Sequence, residues 1–195
     1  MKIVTAIATL KSLSPYSQSR FTDQKKKPSE SYEDFENRTW LDKGHYTPDG
    51  FACIPMMALK TAICAGAKFK NKPMKGKQTY TKHFVSGVLP MKDAKLNVRR
   101  EDVTKDAVLC ASDGKKGGKG GSSVVRVFPV IPSWECEAEF AVIDELIGEA
   151  VFREMLEAAG QFIGFGRFRV ENGGYYGRFL VTDLKWVEST GGRSK

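Results

Sequence analysis

Residues 163–179, IGFGRFRVENGGYYGRF, limit what this chain can build more than any other stretch. They hold five glycines, three arginines and five aromatics, with Glu171 as the one opposing charge. Glycine has no Cβ, so its backbone takes positive φ and lets a ligand come close. The segment therefore reads as a loop. Before it, residues 148–163 repeat apolar side chains at helical spacing, with Val151, Phe152, Met155, Leu156 and Ala159 on one face. After it, FLVTDLKWV (179–187) reads as a strand. Arginine offers a planar charged fork to phosphates, and Tyr or Phe rings stack on bases. The loop thus suits a ligand that is both polyanionic and aromatic, a nucleic acid rather than a small metabolite.

The rest of the chain supplies more strands and one more helix. Residues 2–10 are β-branched and alternate, which predicts a first strand rather than a secretion signal. Residues 11–50 form a long polar excursion broken by Pro15, Pro28 and Pro48, with a short helix expected around 31–37. Ile54-Pro55 opens a helix carrying Met56, Leu59, Ile63 and Ala67 at helical spacing. Residues 68–82 follow with six lysines and no acid. Residues 83–91 read as a strand, with weaker strand signals at Val98 and 108–111. Residues 113–123 (DGKKGGKGGSS) have nothing to build a core and are expected to be a mobile basic loop. Residues 124–131 and 135–143 alternate and suggest a hairpin, with Pro129 marking an edge or a bulge.

This order predicts an α+β fold over a single domain, 1–195, with insertions at about 11–50 and 92–123. The pattern is strand, helix, strand, strand, helix, strand: a ferredoxin-like or RRM-like βαββαβ antiparallel sheet with two helices on one face. The other face would be free to bind.

A net charge of +8 and a pI of about 9.3 point to a polyanionic partner. Cys53, Cys64, Cys110 and Cys136 form no CxxC pair, and only His45 and His83 accompany them, so no zinc pattern and no cofactor are expected. No apolar run approaches the ~20 residues of a membrane span, and a cytoplasmic location in a bacterial or phage-infected cell is expected. The glycines match neither a P-loop nor a dinucleotide fingerprint: no Gly-Lys pair is followed by Ser or Thr, and GFGRFR follows a helix instead of a strand.

The segment Gly164 to Phe179, between the last helix and the last strand, resembles the C-terminal glycine-rich loop of the RAMP superfamily, the RNA-binding proteins of CRISPR effector complexes. Ile54-Pro55 with Ala58-Leu59-Lys60 is similar to the helix start of that superfamily's backbone subunits. Met56 and Met57 stand where the family pattern has small residues, and Thr61 where it has glycine. The resemblance implies a divergent or solitary relative, with a phage-encoded origin among the expectations. It implies that Arg167, Arg169 and Arg178 contact phosphates, that Gly164, Gly166, Gly173, Gly174 and Gly177 let the backbone approach, and that Tyr175 or Tyr176 meets bases. Lys60 would lie beside the RNA. Basic contacts are also expected from the lysine run (Lys68, Lys70, Lys75, Lys77, Lys82), from Arg20 in a serine-rich stretch after the first strand, and from Lys115, Lys116 and Lys119. The expected partners are single-stranded RNA, further copies of the chain or other ribonucleoprotein subunits. No catalysis is expected. Three alternatives stay open at this level: a phage protein binding or annealing single-stranded DNA, a CRISPR-complex inhibitor or interaction module, and a small metal-independent ribonuclease using His45 or His83.

Overall fold

The computed structural model describes residues 3–74, 76, 78–111 and 123–189. Chain order is β1 (Ile3–Ser12), β2 (Tyr16–Ser17), α1 (Tyr32–Thr39), β3 (Phe51–Ile54), α2 (Met56–Lys70), α3 (Thr81–Gly87) and β4 (Val88–Pro90). Then follow β5 (Ala94–Arg99), β6 (Thr104–Ala111), β7 (Ser123–Ile131), β8 (Glu135–Val142), α4 (Glu149–Ala158) and β9 (Phe179–Ser189).

Strand β1 shows why the main sheet forms. Val4, Ala6, Ala8 and Leu10 are buried while their neighbours are not, the period of two that gives a strand one core face. It pairs antiparallel with β8 on one side (Ala6↔Phe140) and with β9 on the other (Ala6↔Trp186). Strand β5 joins β8 through Leu96↔Cys136, β3 pairs with β5, and β4 pairs with the far end of β8. The sheet order is β3-β5-β8-β1-β9.

Helices α2 and α4 cover the core face. Gly66 of α2 packs so closely that a Cβ there would lie 2.5 Å from the Met155 carbonyl oxygen. Pro55 is the N-cap of α2 rather than its first helical residue, and Asn71 closes the helix in the left-handed conformation. Helix α4 widens into a π turn over Ala159–Ile163, closed by Gly164, just before the glycine-rich loop.

Two sequence expectations fail here. Residues 81–87 are helix α3, and only 88–90 are strand: the Lys60 ammonium donates to the carbonyls of Phe84 and Val85 in the helix and of Val88 just beyond it. Strands β7 and β8 form no hairpin. Strand β7 belongs to a second sheet of order β2-β7-β6, while β8 belongs to the main one. The turn between them buries Trp134, whose backbone N–H donates to Ser12 Oγ and whose backbone carbonyl accepts from Ser12 N. Pro129 lies one residue beyond the short β2 pairing. Strand β5, inside the segment read as the 92–123 insertion, pairs within the main sheet, and β6 in the small one.

One apolar cluster runs through both sheets, joining Val103 and Ile131 of the small-sheet side to Phe140, Phe152 and Phe179. The polar tail beyond Ser189 and the expected mobile loop up to residue 122 lie outside the described residues.

Candidate nucleic-acid interface

The glycine-rich loop is a packed object. Phe165 is buried and stacks on Phe179 with ring centroids 4.7 Å apart, and Tyr16 and Trp134 complete the cluster. The loop's N–H groups largely serve the fold: Phe165 N donates to Gly177 O, Arg167 N to Ser17 O, Tyr176 N to Phe168 O and Gly177 N to Pro15 O. Gly166 and Gly177 both sit at positive φ, with the Ser17 and Phe165 carbonyls where a Cβ would be. These glycines serve close packing within the protein, so side chains must supply the contacts to any ligand.

The three arginines divide. Arg167 is only 10% exposed, lies over Phe128 at 3.6 Å and Phe168 at 4.3 Å, and reaches Asp106 at 3.5 Å. Its two terminal nitrogens are buried without hydrogen-bond partners. It fastens the loop to the small sheet instead of facing solvent. Arg169 is held by Glu171 through two nitrogens at 2.9 Å. Arg178 has no ion pair among the described residues, and its Nε is buried without a partner.

The tyrosines divide too. Tyr176 donates to Asp106 at 3.3 Å, and burial followed by the Asp106 charge pushes its phenol up. Tyr175 is 62% exposed. Phe168, exposed as well and in the left-handed region at φ 50°, lies with its backbone against Gly174. Phe168 and Tyr175 therefore present rings from adjoining stretches of the loop.

The serine-rich stretch and the lysines are used differently than expected. Ser14 Oγ accepts from Arg178 N, and Ser17 Oγ donates to Pro129 O, both inside the fold. Lys60 donates to the carbonyls of Phe84 and Val85 at the end of α3 and of Val88 just after it. Lys70 and Lys72 both pair with Glu154 of α4. Lys68 and Lys82 are exposed without an ion pair among the described residues. Arg20 is exposed, its backbone N–H bonded to Lys43 O. Lys75, Lys77, Lys115, Lys116 and Lys119 lie outside the described residues.

A cleft of about 320 Å³ opens where the loop meets the first turns of α2. Met57, Ala58 and Thr61 form one wall, and Gly164, Gly166 and Arg169 the other. The structure thus brings together two segments about a hundred residues apart. The N-terminal end of α2 carries partial positive charge, with Met56 N already bound to Asp93 at 2.8 Å.

The open face of the main sheet has a different character. Glu135, Glu137 and Glu139 point outward from β8, opposite Lys11, Thr9 and Ile7, and Asp183 lies on the far side of Thr9. Cations answer these acids: Lys11 faces Glu135, Lys185 faces Ile7, and Lys92 binds Glu139 at 2.7 Å. The histidines are separate again. His83 Nδ1 lies 2.6 Å from Asp144, whose carboxyl sits below its ordinary value: burial pushes it up, but bonds from His83 and Leu146 N outweigh burial. His45 is half-buried, and burial followed by the Arg20 charge pushes its imidazole down.

Sequence reading missed a second basic strip on the small sheet. Phe128 carries the Arg167 guanidinium at 3.6 Å and the Lys43 ammonium at 4.8 Å, and Lys43 and Arg126 both bind the buried Glu36. The alternation of β7 gave a strand but no neighbour for it.

No protein-family model matches the chain, and no curated protein does. Solved structures do. A chain in the cryo-EM structure of the type III-B Cmr-beta bound to cognate target RNA aligns at TM-score 0.54 with 14% identity, over 96% of this chain and 61% of that one. The protein spans about three fifths of that neighbour's length. Cmr6 from Pyrococcus furiosus aligns at TM-score 0.49 with 13% identity, over 92% of this chain and 98% of that one. A chain of a CRISPR RNA-guided surveillance complex aligns at TM-score 0.37 with 13% identity, over 84% and 62%. The mixed fold of antiparallel sheets and helices is thus one also found in a chain of the type III-B Cmr-beta structure.

Proposed function

We propose that this protein is an RNA-binding subunit of RAMP type, which holds single-stranded RNA without cleaving it. The observation that carries the reading is the cleft between the start of α2 and the glycine-rich loop, the two segments that resemble the superfamily's motifs. Its chemistry suits a nucleic acid strand: Arg169 at one wall, the positive end of a helix at the other, and the exposed rings of Phe168 and Tyr175 on the same loop. Arg178, which has no ion pair among the described residues, adds a further charge.

The fold supports the same reading. In chain order the central elements run β1, α2, β5, β8, α4, β9, and in space the strands run β9-β1-β8-β5. That order fits a doubled split βαβ unit and supports the ferredoxin-like reading. The likeness to a chain of the RNA-bound Cmr-beta supports placing it in a ribonucleoprotein, beside other subunits or further copies of itself. The antiparallel pair of β6 and β7 is read as a projection reaching along the strand. His83, held by Asp144, and the half-buried His45 are read as structural.

Nucleic acid retained by the purified protein tests this directly. The expected result is an absorbance ratio at 260 over 280 nm raised by bound RNA, which falls after RNase and not after DNase. A DNase-sensitive excess would assign the site to DNA. Protein that carries no nucleic acid and binds none when it is added would refute the proposal.

A further inference from the structure

Residues 18–24 have no regular structure, yet they are pinned at both ends. Gln18 Nε2 donates to Cys53 O at 2.8 Å, and Gln18 Oε1 accepts from His45 N at 2.7 Å. Arg20 N donates to Lys43 O, and Gln24 bridges Asp42 and Arg38. Between these ties Phe21 is 88% exposed, the highest value among the large apolar side chains described. A mobile segment could fold such a ring under and recover its burial energy. This strap cannot, and it holds the ring at the mouth of an open cleft of about 500 Å³.

The other walls are basic and aromatic: Arg20, Lys43 and Arg126 with Phe35 and Phe128. The single acid there is Glu36, whose oxygens already serve Lys43, Arg126 and Val127 N. Arg20 has no ion pair among the described residues, and Arg126 spends one nitrogen on Glu36 while its side chain stays 45% exposed. The cleft adjoins the glycine-rich loop through Phe128, which Lys43 and Arg167 share.

We propose that this cleft is a nucleotide subsite in which one base stacks on Phe21 and the adjoining phosphate is held by Arg20 and Arg126. It rests on the RNA-binding reading and extends the strand's path from the loop across the small sheet. Every base has a π-face, so the subsite takes any base. The arginine forks match phosphate geometry, and Glu36, buried behind them, orients Arg126.

The test is anisotropy of the full chain with two labelled 12-nucleotide probes, one a mixed-sequence RNA and one its abasic counterpart. Phe21→Ala should bind the base-bearing RNA roughly tenfold more weakly, and Phe21→Trp should restore it. Arg20→Ala should lower the salt slope by about 0.7. On the abasic probe, wild type and Phe21→Ala should bind alike. The ring is exposed, so thermal unfolding should not change. If Phe21→Ala matches wild type on base-bearing RNA while Arg169→Ala with Arg178→Ala still weakens binding, the subsite is refuted and the wider reading stands. An equal loss on the abasic probe, or loss of a bound protein in place of RNA, would also overturn the subsite. A wild type that binds neither probe would overturn both readings.

Discussion

Glu36 has a side chain only 3% exposed, yet it keeps its charge because Lys43, Val127 N and Arg126 all donate to it. Burial pushes its carboxyl up, and those three bonds outweigh burial, so it titrates below the ordinary 4.5. A carboxylate depressed in the folded state adds stability above its unfolded pKa and loses it as the pH falls through the folded one. Urea midpoints should therefore drop on acidification below about 4.5, and drop less in Glu36→Gln. Glu36→Ala strands two cations and should cost about 3 to 5 kcal/mol at neutral pH. The loop offers a second residue-level comparison. At Gly177 a side chain meets both a positive φ and the Phe165 carbonyl, whereas at Gly173 it meets only the positive φ with open space around it. Gly173→Ala should cost about 1 kcal/mol and Gly177→Ala clearly more, up to roughly 3. Equal urea midpoints for the two would show that the loop is not packed as described.

Among the elements, α3 depends on a distant residue. Lys60 binds the carbonyls at its end, so Lys60→Ala should loosen residues 81–90 to hydrogen exchange while leaving the salt dependence of RNA binding unchanged. A lowered salt slope in that variant would return Lys60 to the RNA. The same residue explains what the sequence could and could not reveal. Strands β1, β8 and β9 and helices α2 and α4 have one wet face and one core face, and their periods are written in the local sequence. Residues 83–91 alternate like a strand and are mostly helix, because the lysine that satisfies their carbonyls lies more than twenty positions upstream. Strands β7 and β8 are both legible as extended, but period two does not say which strand lies beside which. Within the loop, the glycines, arginines and tyrosines are legible as a cluster. Their division is not, because Phe128 and Asp106, which take up Arg167 and Tyr176, come from other strands. Phe21 gave no local signal, since its exposure follows from ties at Gln18, Arg20 and Gln24.

Across the whole molecule, the faces differ in how their charges are matched. The chain carries +8, and on the open side of the main sheet the acids are answered by cations, Lys11 opposite Glu135 and Lys92 bound to Glu139 at 2.7 Å. The loop and the small sheet carry Arg126, Arg167, Arg169 and Arg178, with the exposed rings of Phe168 and Tyr175. On the proposed reading a strand of RNA meets the second region rather than the first. Glu137→Gln should accordingly leave RNA affinity within about twofold of wild type, since surface changes off the binding path act weakly. The most direct measurement of the central claim is the affinity for a labelled single-stranded 12-nucleotide RNA over a range of salt concentrations. Wild type should show log Kd rising linearly with log salt, and Arg169→Ala combined with Arg178→Ala should reduce that slope by about 1.4, two phosphate contacts on a single strand. An unchanged slope in the double variant, or a wild type without salt-dependent RNA binding, would contradict the account.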